Sequence, residues 1–73
     1  MPHIVVKLYP GRSEKEKAEL AQELTVTMIS VLGSRRDAIS VGIEEVAPDD
    51  WHELVTKPDV LAKPGTIYKR PRT

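Results

Sequence analysis

Pro2 is the residue in this chain with the least ordinary chemistry. Initiator Met is normally removed before a small second residue, and the chain then begins with a secondary amine. A primary α-amine titrates near about 7.7–8.0, and a prolyl amine is intrinsically somewhat more basic. Apolar burial and a nearby cation both lower that value. A neutral amine at pH 7 can take a proton from carbon and return it elsewhere, which is general acid–base work. Taken alone, Pro2 is an ordinary second residue. The other usual chemistries are poorly served. There is no Cys, so there is no thiolate nucleophile, disulfide or thiolate metal site. His3 and His52 are too few for a His-based metal centre. Gly11, Gly33, Gly42 and Gly65 are scattered and match neither the P-loop nor the dinucleotide fingerprint. No Ser-His-Asp set has support. No metal centre is expected.

The elements that must position Pro2 can be read in order. Residues 3–9 alternate, with Ile4, Val6 and Leu8 on one face and His3, Val5, Lys7 and Tyr9 on the other. β-branched residues dominate, so this is a strand. Pro10-Gly11 ends it. Ser13 and Glu16 form a capping box for a helix over 14–32, a stretch without Gly or Pro. Ala18, Ala21, Leu24, Met28, Val31 and Leu32 mark its apolar stripe. Leu20, Val26 and Ile29 widen that stripe, so the helix end is expected to be buried more fully, against its own chain or against another. Gly33 suits the C′ position. A second strand follows over 39–46, with Ile39, Val41 and Ile43 facing one way. Pro48 opens a short helix expected over 49–56, which Pro58 is expected to break. Thr66-Ile67-Tyr68 reads as a short edge strand within a C-terminal extension over 58–73.

About 29 residues separate the two strands, enough for a right-handed parallel crossover. The expected fold class is α+β: a single domain, residues 1–73, built on one β-α-β unit with short C-terminal elements. Two strands are not independently stable, and parallel strands normally have both faces covered. At 73 residues, with no Cys and no Phe, the chain lacks a staple and a large aromatic core. Completion of the sheet by a second subunit is therefore expected.

Eleven Lys plus Arg balance eleven Asp plus Glu. That balance argues against a strongly basic nucleic-acid binder. Residues 44–53 hold five acids, whereas residues 60–73 hold four bases, Lys63, Lys69, Arg70 and Arg72. These read as solvated surfaces of opposite sign, or as a tail that meets an acidic stretch on a partner. No secretory leader is visible and no apolar run approaches a membrane span. A cytoplasmic protein that binds neither membrane nor nucleic acid is the expectation.

Met-Pro, a strand, Gly11-Arg12-Ser13 opening a helix, and a second strand (Ile39-Ser-Val-Gly-Ile-Glu-Glu-Val46, then Trp51) together resemble the tautomerase superfamily. The resemblance spans roughly residues 2–51 and is nearest to the short-chain 4-oxalocrotonate tautomerase family. Lys63-Pro64-Gly65 in the extension resembles the PptA-like branch, whose members are dimers. The resemblance implies a tautomerase/MIF-like fold and an enol–keto tautomerase without cofactor, acting on a small carboxylate-bearing enol or 2-keto acid. It implies Pro2 as catalytic base and Arg12 as the group that binds the substrate carboxylate, a bidentate pairing that suits arginine. Trp51 stands where the family carries an aromatic wall that excludes water. Ser40 stands where the best-known members carry a second arginine. A hydroxyl donates a hydrogen bond but supplies no charge, and losing such a donor can cost about 10²-fold in rate. Arg35 and Arg36 read as surface turn residues, while His3, His52 and Tyr68 are secondary candidates. A homodimer is expected, with a homohexamer as the alternative. Two other functions fit the same frame: a non-catalytic oligomeric scaffold, and another superfamily reaction such as hydration, dehalogenation or decarboxylation.

Overall fold

Two parallel strands and one long crossover helix organise the computed structural model, which describes residues 1–72. β1 runs His3–Leu8 and β2 runs Ser40–Glu45. Their register pairs His3 with Ser40, Val5 with Gly42 and Leu8 with Glu45. Side chains alternate across a strand, so Ile4, Val6, Leu8, Val41, Ile43 and Glu45 share one face. His3, Val5, Lys7, Ser40, Gly42 and Glu44 share the other.

Between the strands, α1 runs Glu14–Leu32. Ser13 caps it: the Glu16 amide donates to Ser13 Oγ at 3.1 Å, and the Ser13 amide donates to Glu16 Oε1 at 3.0 Å. Gly33 ends it at φ 68°, a left-handed conformation that glycine adopts without steric cost, with its amide donating to Ile29 O. Gly11, at φ 126°, makes the turn from β1 into the helix. Lys17 ties the helix to the sheet, reaching Glu45 Oε2 at 3.3 Å and Glu14 Oε1 at 3.1 Å.

The helix packs along Lys17, Ala21, Leu24, Thr25, Met28 and Ile29, all half-buried. Ala18 is exposed, and so are Val31 and Leu32, at 72% and 64%. The second half of the helix is thus the better covered as far as Ile29, and only its last turn, with Val31 and Leu32, stands open within one chain. The reason is length. A 19-residue helix rises about 28 Å, whereas a six-residue strand covers about 20 Å, so the last turn overhangs the sheet.

The C-terminal region also departs from expectation. Pro48–Asp50 is a single 3₁₀ turn, and a ten-residue π-helix then runs His52–Leu61 straight through Pro58. An α-helical path would drive the proline ring into the carbonyl four residues back. The wider turn relieves that crowding, and Ala62 N donates to Lys57 O, five residues back, at 3.0 Å. Thr66-Ile67-Tyr68, expected as a short edge strand, forms none: a 3₁₀ turn at Pro64–Thr66 takes the amides of Thr66 and Ile67. Pro64 cannot donate to a ladder, and the Thr66 amide and hydroxyl both close onto Lys63 O. Of the expected 58–73 extension, Thr73 lies outside the described residues.

This C-terminal helix lies on the sheet face opposite α1. Val55 is buried there, and Lys7 Nζ donates to Asp59 Oδ2 at 2.6 Å. Val46 and Val55 are the buried hydrophobic residues among those described. The chain exposes 5921 Å², whereas a monomer of this mass ordinarily exposes about 4,500 Å². The excess, about 1,400 Å², is more than the roughly 800 Å² that one partner contributes to a standard interface. An open sheet with so little core implies oligomerisation. No helix among the described residues is long and apolar enough to cross a membrane.

Two predictions follow from the packing. Val55→Ala removes about two buried methylene equivalents and lowers stability by about 2 kcal/mol, measured by urea denaturation. The pH dependence has two limits. The hydrogen bond from Lys7 holds the Asp59 carboxyl below its ordinary range, and the amide of Ser13 does the same for Glu16. Their stabilisation is present above the unfolded carboxylate range and is lost as pH falls through the depressed folded values. Asp59 raises Lys7 above the ordinary lysine range, so its contribution is lost as pH rises through that raised value. Asp59→Asn should flatten both limits for amide exchange within 52–61.

Candidate functional site

The sequence-predicted site residues divide into two groups at opposite ends of the sheet. Pro2 and Ser40 sit at the start of the parallel pair, where the Ser40 amide donates to Pro2 O at 3.2 Å. Ser40 Oγ lies 2.7 Å from His3 Nδ1. Arg12 and Trp51 sit beyond the other end. They line an open cleft of about 600 Å³ with Lys7, Leu8, Tyr9, Pro10 and Gly11. Six residues of β1, about 20 Å of extended chain, separate the groups. One chain does not bring Pro2 and Arg12 together.

The Arg12 end is the more fully built. Tyr9 closes β1 on the face opposite α1, and its ring meets Trp51 edge to face, with centroids 4.9 Å apart and planes at 88°. Trp51 is placed by the turn at Pro48–Asp50, since its amide donates to Pro48 O. The two rings form an apolar wall beside the Arg12 guanidinium. Arg12 is exposed, and its Nη1 lies 3.6 Å from Glu16 Oε2. The other oxygen of that carboxylate accepts from the Ser13 amide. The helix cap thus also steers the arginine. Lys7 adds a second cation to the cleft, although Asp59 already pairs with it. A small anion with an apolar body fits this arrangement: the cation holds the carboxylate and the rings cover the rest.

At the Pro2 end, Pro2 is half-buried and Met1 is fully exposed. With Met1 attached, Pro2 nitrogen is a tertiary amide without a basic lone pair. Arg35 and Arg36 are exposed in the turn leading to β2, and Arg35 pairs with Asp37 at 3.5 Å. His52 is exposed, and Tyr68 is exposed at 98%; neither lines the cleft. Sequence reasoning missed two neighbourhoods. Lys7 and Tyr9 join Arg12 and Trp51, a grouping that β1 alternation hinted at by placing both on the outward face. The His3–Ser40 contact depends on strand register, which no single-strand pattern reveals.

Comparison with known proteins agrees with this architecture. Residues 2–53 match the family model for tautomerase enzymes. A probable tautomerase of Xylella fastidiosa is 45% identical over 71 residues, covering 97% of this chain and 87% of its own. Tautomerase PptA of Pectobacterium carotovorum is 38% identical, covering 97% and 95%. The crystal structure of TomN, a 4-oxalocrotonate tautomerase homologue of the tomaymycin biosynthetic pathway, superposes with a TM-score of 0.66. It is 40% identical over 68% of this chain and 77% of that one. The chain belongs to the tautomerase family. Its β-α-β unit is the 4-oxalocrotonate tautomerase fold.

Trp51 is the only tryptophan in the chain, so its emission reports the cleft directly. Tyr9→Ala should shift that emission to longer wavelength and raise its quenching by acrylamide. An unchanged spectrum would show that the edge-to-face pair, ordinarily worth about 0.5–1.5 kcal/mol beyond area burial, does not shield the indole.

Proposed function

We propose that, once Met1 is removed, this chain is an enol–keto tautomerase acting on a small carboxylate-bearing enol or 2-keto acid. The Pro2 amine takes the proton from the enol oxygen, and the C=C electron pair receives a proton at carbon as the C=O bond forms. One proton leaves oxygen and one arrives at carbon, so the amine ends in its starting state and no cofactor enters. Arg12 holds the carboxylate, and Trp51 with Tyr9 keeps water from the reacting end. Ser40 offers a hydroxyl to the oxygen on which charge develops.

The observation that carries this reading is the division of the site. An anion cleft with an aromatic wall lies at one end of the sheet and the potential amine at the other. A homodimer that sets the start of one sheet against the end of its partner's joins the halves: Pro2 from one protomer, Arg12 and Trp51 from the other. A homohexamer built from such pairs would do the same. The exposed area and open strand edges favour such a partner.

Intact mass first establishes whether Met1 is removed. Ketonisation of phenylenolpyruvate by the processed protein is then compared with its variants. Pro2→Ala should lower kcat by about 10²-fold or more, the range of a lost general base, and Arg12→Ala should mainly raise KM. A processed wild type no faster than buffer, or a Pro2→Ala variant at full rate, sinks the reading and favours a non-catalytic scaffold. Mixing the two variants, at a substrate concentration low enough that each alone is slow, tests the division itself. In a two-fold dimer the mixture regains roughly a quarter of wild-type activity, because half the dimers are mixed and each carries one intact site. No recovery would place both groups in one chain's site.

A further inference from the structure

We propose that His3 is a positioning residue that sets the Ser40 hydroxyl to donate toward the reacting oxygen. The inference rests on the tautomerase reading above and goes beyond it by assigning the hydrogen-bond direction at the Pro2 end. His3 and Ser40 are register partners on the face opposite α1, and His3 Nδ1 lies 2.7 Å from Ser40 Oγ. Across the same step of the ladder the Ser40 amide donates to Pro2 O. The hydroxyl is thus held beside the residue that supplies the amine.

The direction of the 2.7 Å contact decides what Ser40 can do. A hydroxyl has one proton to give and two lone pairs to receive. If Nδ1 is bare, it takes the hydroxyl proton, and Ser40 has nothing left to donate to a substrate. If Nδ1 carries the proton, it donates into Oγ, and the hydroxyl proton is free to turn outward. Only the second arrangement stabilises an enolate oxygen, and it also polarises the hydroxyl, because linked hydrogen bonds strengthen one another. We assign His3 the Nδ1–H tautomer. No proton passes through the pair; it only orients and polarises. Ser40 supplies no charge of its own, so this support bears directly on how well a neutral donor can serve there.

Both side chains are exposed, so substitutions leave Val46 and Val55 untouched, and circular dichroism checks the fold. With phenylenolpyruvate, Ser40→Ala should lower kcat about tenfold, the scale of one net hydrogen bond, with little change in KM. His3→Leu, which keeps the hydroxyl but loses its orientation, should lower kcat by a smaller factor, again with little change in KM. The double variant should be no worse than Ser40→Ala alone, because His3 acts only through that hydroxyl. His3→Asn, whose amide can still donate to Oγ, should recover most of the rate. Nitrogen-15 NMR of the imidazole should show a protonated, hydrogen-bonded Nδ1 that changes in Ser40→Ala. Additive losses in the double variant overturn the proposal. So does a His3→Asn rate equal to that of His3→Leu, or a bare Nδ1. If Pro2→Ala abolishes activity while His3 and Ser40 act independently, only this pairing fails. If the processed protein ketonises no enol, or Pro2→Ala keeps full rate, both readings fall.

Discussion

A two-stranded parallel sheet cannot bury itself, and that constraint governs every other feature of this chain. Antiparallel hairpins can leave one face to water, but a parallel pair needs cover on both. Here α1 covers one face in part, and a single turn of the C-terminal helix, centred on Val55, covers a little of the other. Two valines are too small a core to offset the conformational entropy of ordering 73 residues. Folding and association are therefore expected to be one event for this protein. Its apparent stability then depends on protomer concentration, as it does for chains without a stable folded monomer.

Where apolar packing is thin, ion pairs set geometry. Lys17 joins the first turns of α1 to the end of β2, and Lys7 anchors the C-terminal helix through Asp59. Pairs this near the surface, only half-buried, contribute little net stability; their value here lies in orientation. Glu16 shows the economy of the arrangement, with one oxygen in the helix cap and the other toward Arg12. The local chemistry that starts the helix also aims the residue proposed to bind the substrate.

Much of this could be read from residue order. Alternation located both strands to within a residue or two, Ser13 and Glu16 marked the helix start, and Gly33 marked its end. These are local signals, governed by neighbours a few positions away. The misses were of a different kind. Pro58 is a reliable helix breaker only for α-helical geometry, and the π-helix evades the clash that makes it so. Leu20, Val26, Val31 and Leu32 belong to the apolar stripe yet are exposed, because an apolar composition does not say whether the surface it requires belongs to the same chain. The His3–Ser40 contact could not be foreseen, because register joins residues 37 positions apart. The candidate site residues Pro2, Arg12, Trp51 and Ser40 could be named as types, but their separation along the sheet appeared only with the fold.

The exposed Met1 has a practical consequence. Nothing in the fold needs a free chain start: the first ladder bond at this end uses Pro2 O, not its nitrogen. A fusion or affinity tag joined ahead of Pro2 would therefore spare the hydrogen bonds of the strand pair while converting the proposed base into an ordinary peptide linkage. On the proposed mechanism such a preparation would keep its fold and yet be chemically silent. For this protein, the choice of which terminus carries the purification handle is an experimental variable in its own right.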